Sequence, residues 1–123
     1  MNTIHTQSAP KAVGPYSQAI VSNGFVFTSG QIAINPDTNT VEATDINGQS
    51  EQVMKNLKAV LEAAGSSFGK AVKTTCFLAD MNDFAAFNEV YGRYFTSLPA
   101  RSCVAVKTLP KNVLVEVEVI AEA

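Results

Sequence analysis

Tryptophan is absent from this 123-residue sequence, and the groups that usually carry enzymatic chemistry are scarce: one histidine, two cysteines and two arginines. The single histidine, His5, stands close to the amino terminus, in a segment expected to fray. A Ser-His-Asp triad or a multi-histidine metal site therefore lacks its parts, and no metal site is predicted. Cys76 and Cys103 have no CxxC spacing, and each falls within a predicted strand, which points to two reduced thiols rather than a disulfide. A basic excess is missing too: Lys and Arg total 9 against 11 Asp and Glu, a net charge of −2. Little is available to track a phosphate backbone, which argues against nucleic-acid binding. No apolar run approaches the roughly 18 residues that span a bilayer. The opening residues MNTIHTQSAPKAVGPY lack the basic cluster and apolar core of a signal peptide, so a cytoplasmic location is expected. Chemistry is left to carboxylates, Tyr, Cys, Arg and backbone groups.

What is present suits a compact fold. The chain is 46% hydrophobic and 16% charged, and its length fits one domain over residues 1–123. Gly14-Pro15 opens a predicted strand over 16–21, and Asn23-Gly24 is a strong hairpin signal before the partner strand FVFTSGQIAI. Gly30 interrupts that strand, as at a bulge or a close approach of ligand to backbone. INPDTNT reads as a loop, followed by a short extended piece around Val41. A helix is predicted over 45–64, ending at Gly65, with Ile46, Val53, Leu57, Val60, Leu61 and Ala64 on one stripe. Glu51 with Lys55, and Lys58 with Glu62, fall at i,i+4 on its wet side. The next strand carries Val72, Thr74, Cys76 and Leu78 on one face. Asp80 and Asn82 mark the start of a second helix whose stripe is Phe84, Phe87, Tyr91, Tyr94 and Phe95, a row that reads as core. Strands over 102–107 and 113–121 close the chain. The order β-β-α-β-α-β-β predicts an α+β fold, with both helices on one face of a mixed sheet.

Two stretches stand apart from this frame. In LPARSCVAV, Arg101 sits at the mouth of a strand, where a guanidinium is costly to bury unless something anionic meets it. In the last strand Val113, Val115, Val117, Val119 and Ala121 make one apolar face, while Leu114, Glu116, Glu118 and Ile120 make the other. Two helices cover only one side of a sheet, so the second side meets water or another subunit. Leu114 and Ile120 point to partial cover, and a carboxylate at the edge of such cover is a functional candidate.

GPYSQA, TSGQI, AAG, VKTTCFLADMNDF and, above all, PARSCVAV followed by LP and VEVEVIA resemble the Rid family of reactive-intermediate (imine) deaminases, also called YjgF. The resemblance runs from about Ala9 to Ala121. It implies a chorismate-mutase-like fold and a homotrimer with an inner β-barrel and ligand clefts between subunits. It also implies hydrolysis of 2-iminopropanoate and 2-iminobutanoate, from enamine products of pyridoxal-phosphate dehydratases, to 2-keto acids and ammonia. The reaction asks for no cofactor. By the same resemblance Arg101 anchors the carboxylate of a small 2-imino or 2-keto acid, and Glu116 positions the hydrolytic water. Cys103 lines the pocket, more through its backbone N–H than its thiol, and Tyr16, Ser29, Gly30 and Asn88 match the remaining pocket positions. Only Thr96, Ser97 and Leu98 separate Phe95 from Pro99, a shorter loop than the family usually carries. Two rival functions are an endoribonuclease or translation inhibitor, and a non-catalytic keto-acid sensor. The acidic balance and single terminal histidine weigh against the first; the second has no need of Glu116.

Overall fold

The computed structural model describes residues 1–123. In chain order the elements are β1 (Asn2–Ile4), β2 (Ala19–Ser22), β3 (Phe25–Thr28), β4 (Ile34–Asn35), β5 (Thr40–Val41), α1 (Ile46–Ala63), β6 (Ala71–Leu78), α2 (Phe84–Tyr94), β7 (Ala100–Ala105) and β8 (Val115–Glu122). Six strands form one sheet in the order β1-β2-β3-β8-β6-β7, and β4 pairs β5 in a small separate hairpin. Only β6 and β7 run parallel, because α2 returns the chain between them. The two helices lie on one face of this mixed sheet. No helix is long and apolar enough to cross a membrane.

Local chemistry sets the ends of these elements. Asn23 and Gly24 have φ of 52° and 80°, the positive values that a two-residue hairpin turn requires, and they bring Ser22 opposite Phe25. Asp45 caps α1 by accepting a hydrogen bond from the Gly48 N–H at 2.9 Å. Gly65, at φ 77°, ends that helix in the left-handed region. Val53, Leu57, Val60 and Leu61 of α1 are fully buried, and Phe87, Val90, Tyr91 and Phe95 complete the core from α2 and its end.

Four expectations are corrected. The amino terminus is not frayed: Thr3 pairs Ile20, and β1 lengthens the sheet by a strand that its three residues do not announce. Tyr16 precedes β2 rather than lying within it. Glu51 does not pair with Lys55. It turns to α2, where it meets Arg93 at 2.7 Å and accepts from the Tyr94 hydroxyl at 2.5 Å; the Lys58–Glu62 pair does form, at 4.0 Å. Finally, Val72 is exposed and does not share the buried face of Thr74, Cys76 and Leu78. A bulge places Ala71 opposite Ala121 and Lys73 opposite Ile120, which turns the intervening valine outward and leaves Thr74, Cys76 and Leu78 inside.

Buried amides tie the helical layer to the loops beside the sheet. Asn56 is 1% exposed, and its side-chain NH2 donates to the carbonyls of Ile32 and Ile34 at 3.0 and 2.9 Å. Gln49 donates to the Ala43 carbonyl and accepts from the Leu114 N–H at 2.8 Å, which fixes the entry to β8. These bonds replace water that α1 excludes, so removing one leaves buried carbonyls unpaired. Asn56→Ala is expected to destabilise the fold by about 2–4 kcal/mol. Chemical denaturation with an unchanged m-value checks this; a loss within experimental error would show that the 30–34 segment is held by other contacts.

Candidate functional site

The alternation of β8 puts Glu116 on the sheet face away from the helices. Val115 and Val117 on either side of it are fully buried, and Glu116 lies opposite Phe77 of β6. The Gly30 segment crosses directly over it. Gln31 and Val117 exchange both backbone bonds, at 2.9 and 3.1 Å, which clamps the chain beside β8. A Cβ built on Gly30 would stand 2.0 Å from Oε2 of Glu116. Any side chain at position 30 would therefore force the Glu116 carboxylate out of the place it holds. Ser29 faces the same region, its hydroxyl donating to the Ser17 carbonyl at 2.5 Å. Buried Gln18 holds the strap over residues 6–10: it accepts from the Thr6 N–H and donates to the Thr6 and Pro10 carbonyls.

These elements enclose a pocket of about 380 Å³ that brings Tyr16, Ser29, Gly30 and Glu116 together. Lys11 and Lys111 also line it, and neither is among the residues that the sequence singles out. Lys111 and Asn112 both have positive φ, 56° and 54°, a conformation unusual for side-chain-bearing residues and stored at the rim of this pocket. Glu116 makes no hydrogen bond or ion pair within the subunit. Burial, and then the charge of Glu118, push its carboxyl above the ordinary carboxylate range.

Arg101, Asn88 and Cys103 form a second group. Arg101 lies opposite Thr74, whose side chain is buried under the helices, so the guanidinium is on the helix face at the sheet edge. It donates to Oδ1 of Asn88 at 2.7 Å and lies 4.7 Å from the ring centroid of Tyr91 and 5.4 Å from that of Phe84. No carboxylate of the same chain meets it. Tyr91, read from the sequence as core, is core and platform at once: its hydroxyl bonds Thr74 at 2.7 Å while its ring underlies the arginine. Cys103 is half-buried opposite Cys76. Desolvation raises both thiols, that of Cys76 to about 12, and neither is poised as a nucleophile. The Val106 N–H points to Leu78 of β6, so alternation turns the Cys103 N–H towards the open edge of β7.

The predicted residues therefore divide between opposite faces of the sheet. Glu116 with its neighbours faces away from the helices, and Arg101 with Asn88 faces α2. Within one subunit the two groups do not converge.

A family model described as endoribonuclease L-PSP matches residues 6–123. A RutC family protein of Synechocystis is 54% identical over 98% of the chain and 95% of the relative. An Escherichia coli protein named 2-iminobutanoate/2-iminopropanoate deaminase is 49% identical over 97% of the chain and 95% of the relative. The structure of E. coli TdcF with bound serine superposes with a TM-score of 0.94 at 45% identity, covering 100% of this chain and 99% of the other.

Gly30 and Glu116 offer a test that needs no substrate. Gly30→Ala is expected to lower the melting temperature, and Glu116→Ala in that background to recover much of the loss, because the obstructing carboxylate is then gone. Additive effects in this double-mutant cycle would show that the contact does not set the residue at position 30.

Proposed function

The chain belongs to the endoribonuclease L-PSP family, whose members include Rid proteins, and we propose that it hydrolyses small 2-imino acids to 2-keto acids and ammonia. The site is shared between two subunits of a homotrimer, Arg101 of one facing Glu116 of the next. The observation that carries this reading is the division of the two groups: a half-buried arginine lacks an anion on one face, and a half-buried glutamate lacks a partner on the other. The uncovered sheet face also presents Phe25, Phe27 and Val104 to solvent. A second copy supplies the cover that these side chains lack. The deaminase name carried by a relative at 49% identity and the serine bound to TdcF support a small carboxylate-bearing ligand.

The chemistry follows from the atoms. Stacked on Tyr91 and tethered to Asn88, Arg101 keeps further N–H donors free for a carboxylate, in a planar fork that a lysine cannot reproduce. The Cys103 N–H at the strand edge adds a donor. This anchoring fixes the plane of the imine. Water then attacks the C=N carbon: a C–O bond forms, Glu116 takes a water proton, the C=N pair passes to nitrogen, and Glu116 returns that proton to it. Glu116 next takes the remaining O–H proton and passes it to the amine nitrogen as the C–N bond breaks, which releases ammonia and leaves the keto acid. The carboxyl of Glu116, raised by burial and then by the charge of Glu118, is suited to both taking and giving a proton. Imines hydrolyse unaided, so a few tenfold steps at about 1.4 kcal/mol each suffice. Phosphodiester cleavage fits less well: Lys11 and Lys111 could meet a phosphate, but no histidine lines the pocket and its carboxylate is unpaired.

Light scattering at micromolar concentration is expected to give three times the 13.1 kDa chain mass; a monomer would remove the shared cleft. Arg101→Ala and Glu116→Gln should each lose about 10²–10⁴-fold in turnover of an imine generated in situ. Mixed and reassembled from unfolded chains, the two inactive variants should regain activity in about one site in four, since each intact cleft takes one residue from each subunit. Absence of recovery would place both groups in one subunit or deny them a common site.

A further inference from the structure

Glu116 lines two cavities. Besides the substrate pocket, it and Gly30 border a second space of about 360 Å³ that continues along the sheet to Glu118, walled by Phe77, Val106, Thr108, Leu109 and Pro110. Glu118 lies two residues from Glu116 on the same face of β8, about 7 Å along the strand. Neither side chain has a hydrogen-bond or ion-pair partner within the subunit. The charged and titratable groups around them are Lys11, Tyr16 and Lys111 at the substrate pocket, Lys73 on β6 and Glu122 further along β8. None of the lysines bridges to either carboxylate; the salt bridges of the chain are Lys58–Glu62 and Arg93–Glu51. Across β6, Glu118 faces Thr75, a neutral hydroxyl.

We propose that Glu118 is a positioning residue for the hydrolysis, exchanging protons with Glu116 through water in the chamber they share. The inference rests on the function proposed above. Hydrolysis moves both hydrogens of the attacking water onto the departing nitrogen, with no net gain or loss. Glu116 must be ionised when it takes a proton from oxygen and protonated when it gives one to nitrogen. Two carboxyls on one face without a cation between them repel when both are ionised, so each favours taking up a proton that the other releases. The raised carboxyl of Glu116, to which the Glu118 charge contributes, agrees with this coupling. The chamber supplies a path that does not pass through the bound substrate.

The test compares wild type, Glu118→Gln and Glu118→Asp in two ways: the pH dependence of kcat/KM for 2-iminopropanoate made in situ, and the titration of Glu116 followed by carbon NMR in 13C-glutamate-labelled protein. Removing the Glu118 charge makes Glu116 easier to ionise, so in Glu118→Gln both the acid limb and the Glu116 midpoint should move to lower pH. KM should hold while kcat falls. Glu118→Asp, which keeps the charge, should restore both midpoints. A purely structural role at the interface would lower amplitude or trimer stability and leave the midpoints in place. Either midpoint staying put in a trimeric Glu118→Gln protein would overturn the proposal. Absence of turnover in the wild type would overturn the deaminase reading instead, and the NMR titration would still decide the coupling.

Discussion

The molecule depends on the two-residue alternation of β8. That strand lies between β3 and β6, third from the β7 edge, and the same eight residues build both layers. Val115, Val117, Val119 and Ala121 enter the core under α1, while Glu116, Glu118 and Ile120 stand on the other face. A slip of one residue would exchange the two sets, driving carboxylates beneath the helices. The register is pinned at both ends: Gln49 holds the Leu114 N–H, and Ser66 donates to the Glu122 carbonyl from the loop after α1. Thr28 accepts from the Val119 N–H between them. The position of Glu116 is therefore a consequence of the core.

Core and arginine are linked in the same way. Tyr91 spends its hydroxyl on Thr74, stacks its ring on Phe95 at 4.5 Å, and offers the remaining face to Arg101. A guanidinium that is partly desolvated without a carboxylate is an unfavourable arrangement within one subunit, and the ring and the Asn88 oxygen offset only part of the cost. The cation keeps its orientation because the aromatic row below it cannot shift without opening the core. As the proposed anchor for an anion, Arg101 is preorganised, with little left to order.

Much of this was legible in the sequence where one physical signal dominated. The Asn-Gly turn, the α1 stripe with its Asp45 and Gly65 ends, and the two faces of β8 all follow from local rules that tertiary structure did not override. The misses share a cause, in that they depend on partners distant in sequence. The strand Asn2–Ile4 exists because β2 offers it an edge; Glu51 prefers a bridge to Arg93 and Tyr94 on the other helix over a neighbour on its own; Val72 is displaced by a bulge. The motif residues were found through family resemblance, yet their division between two faces was not foreseen. Cys103 came from the resemblance alone, and the face of Arg101 relative to Glu116 required the sheet order. Lys111 had no sequence signal, since positive φ at a lysine has none.

The pairing of charges bears on whether such a pocket stores a ligand or turns one over. A keto acid is an anion, and a site that only binds one gains from cations and neutral donors. Arg101, Asn88 and the Cys103 N–H answer that description, and Glu116 does not. Its carboxylate is half-buried, unpaired, and fitted so closely under Gly30 that a side chain there would displace it. A glutamine would fill the same volume without the desolvation cost and without repelling the ligand. In the proposed imine hydrolysis the carboxylate would weaken the binding of a product anion and would offer a proton acceptor to water beside a neutral C=N bond. Such an arrangement would favour the transition state over the bound product, which is what distinguishes a catalyst from a receptor.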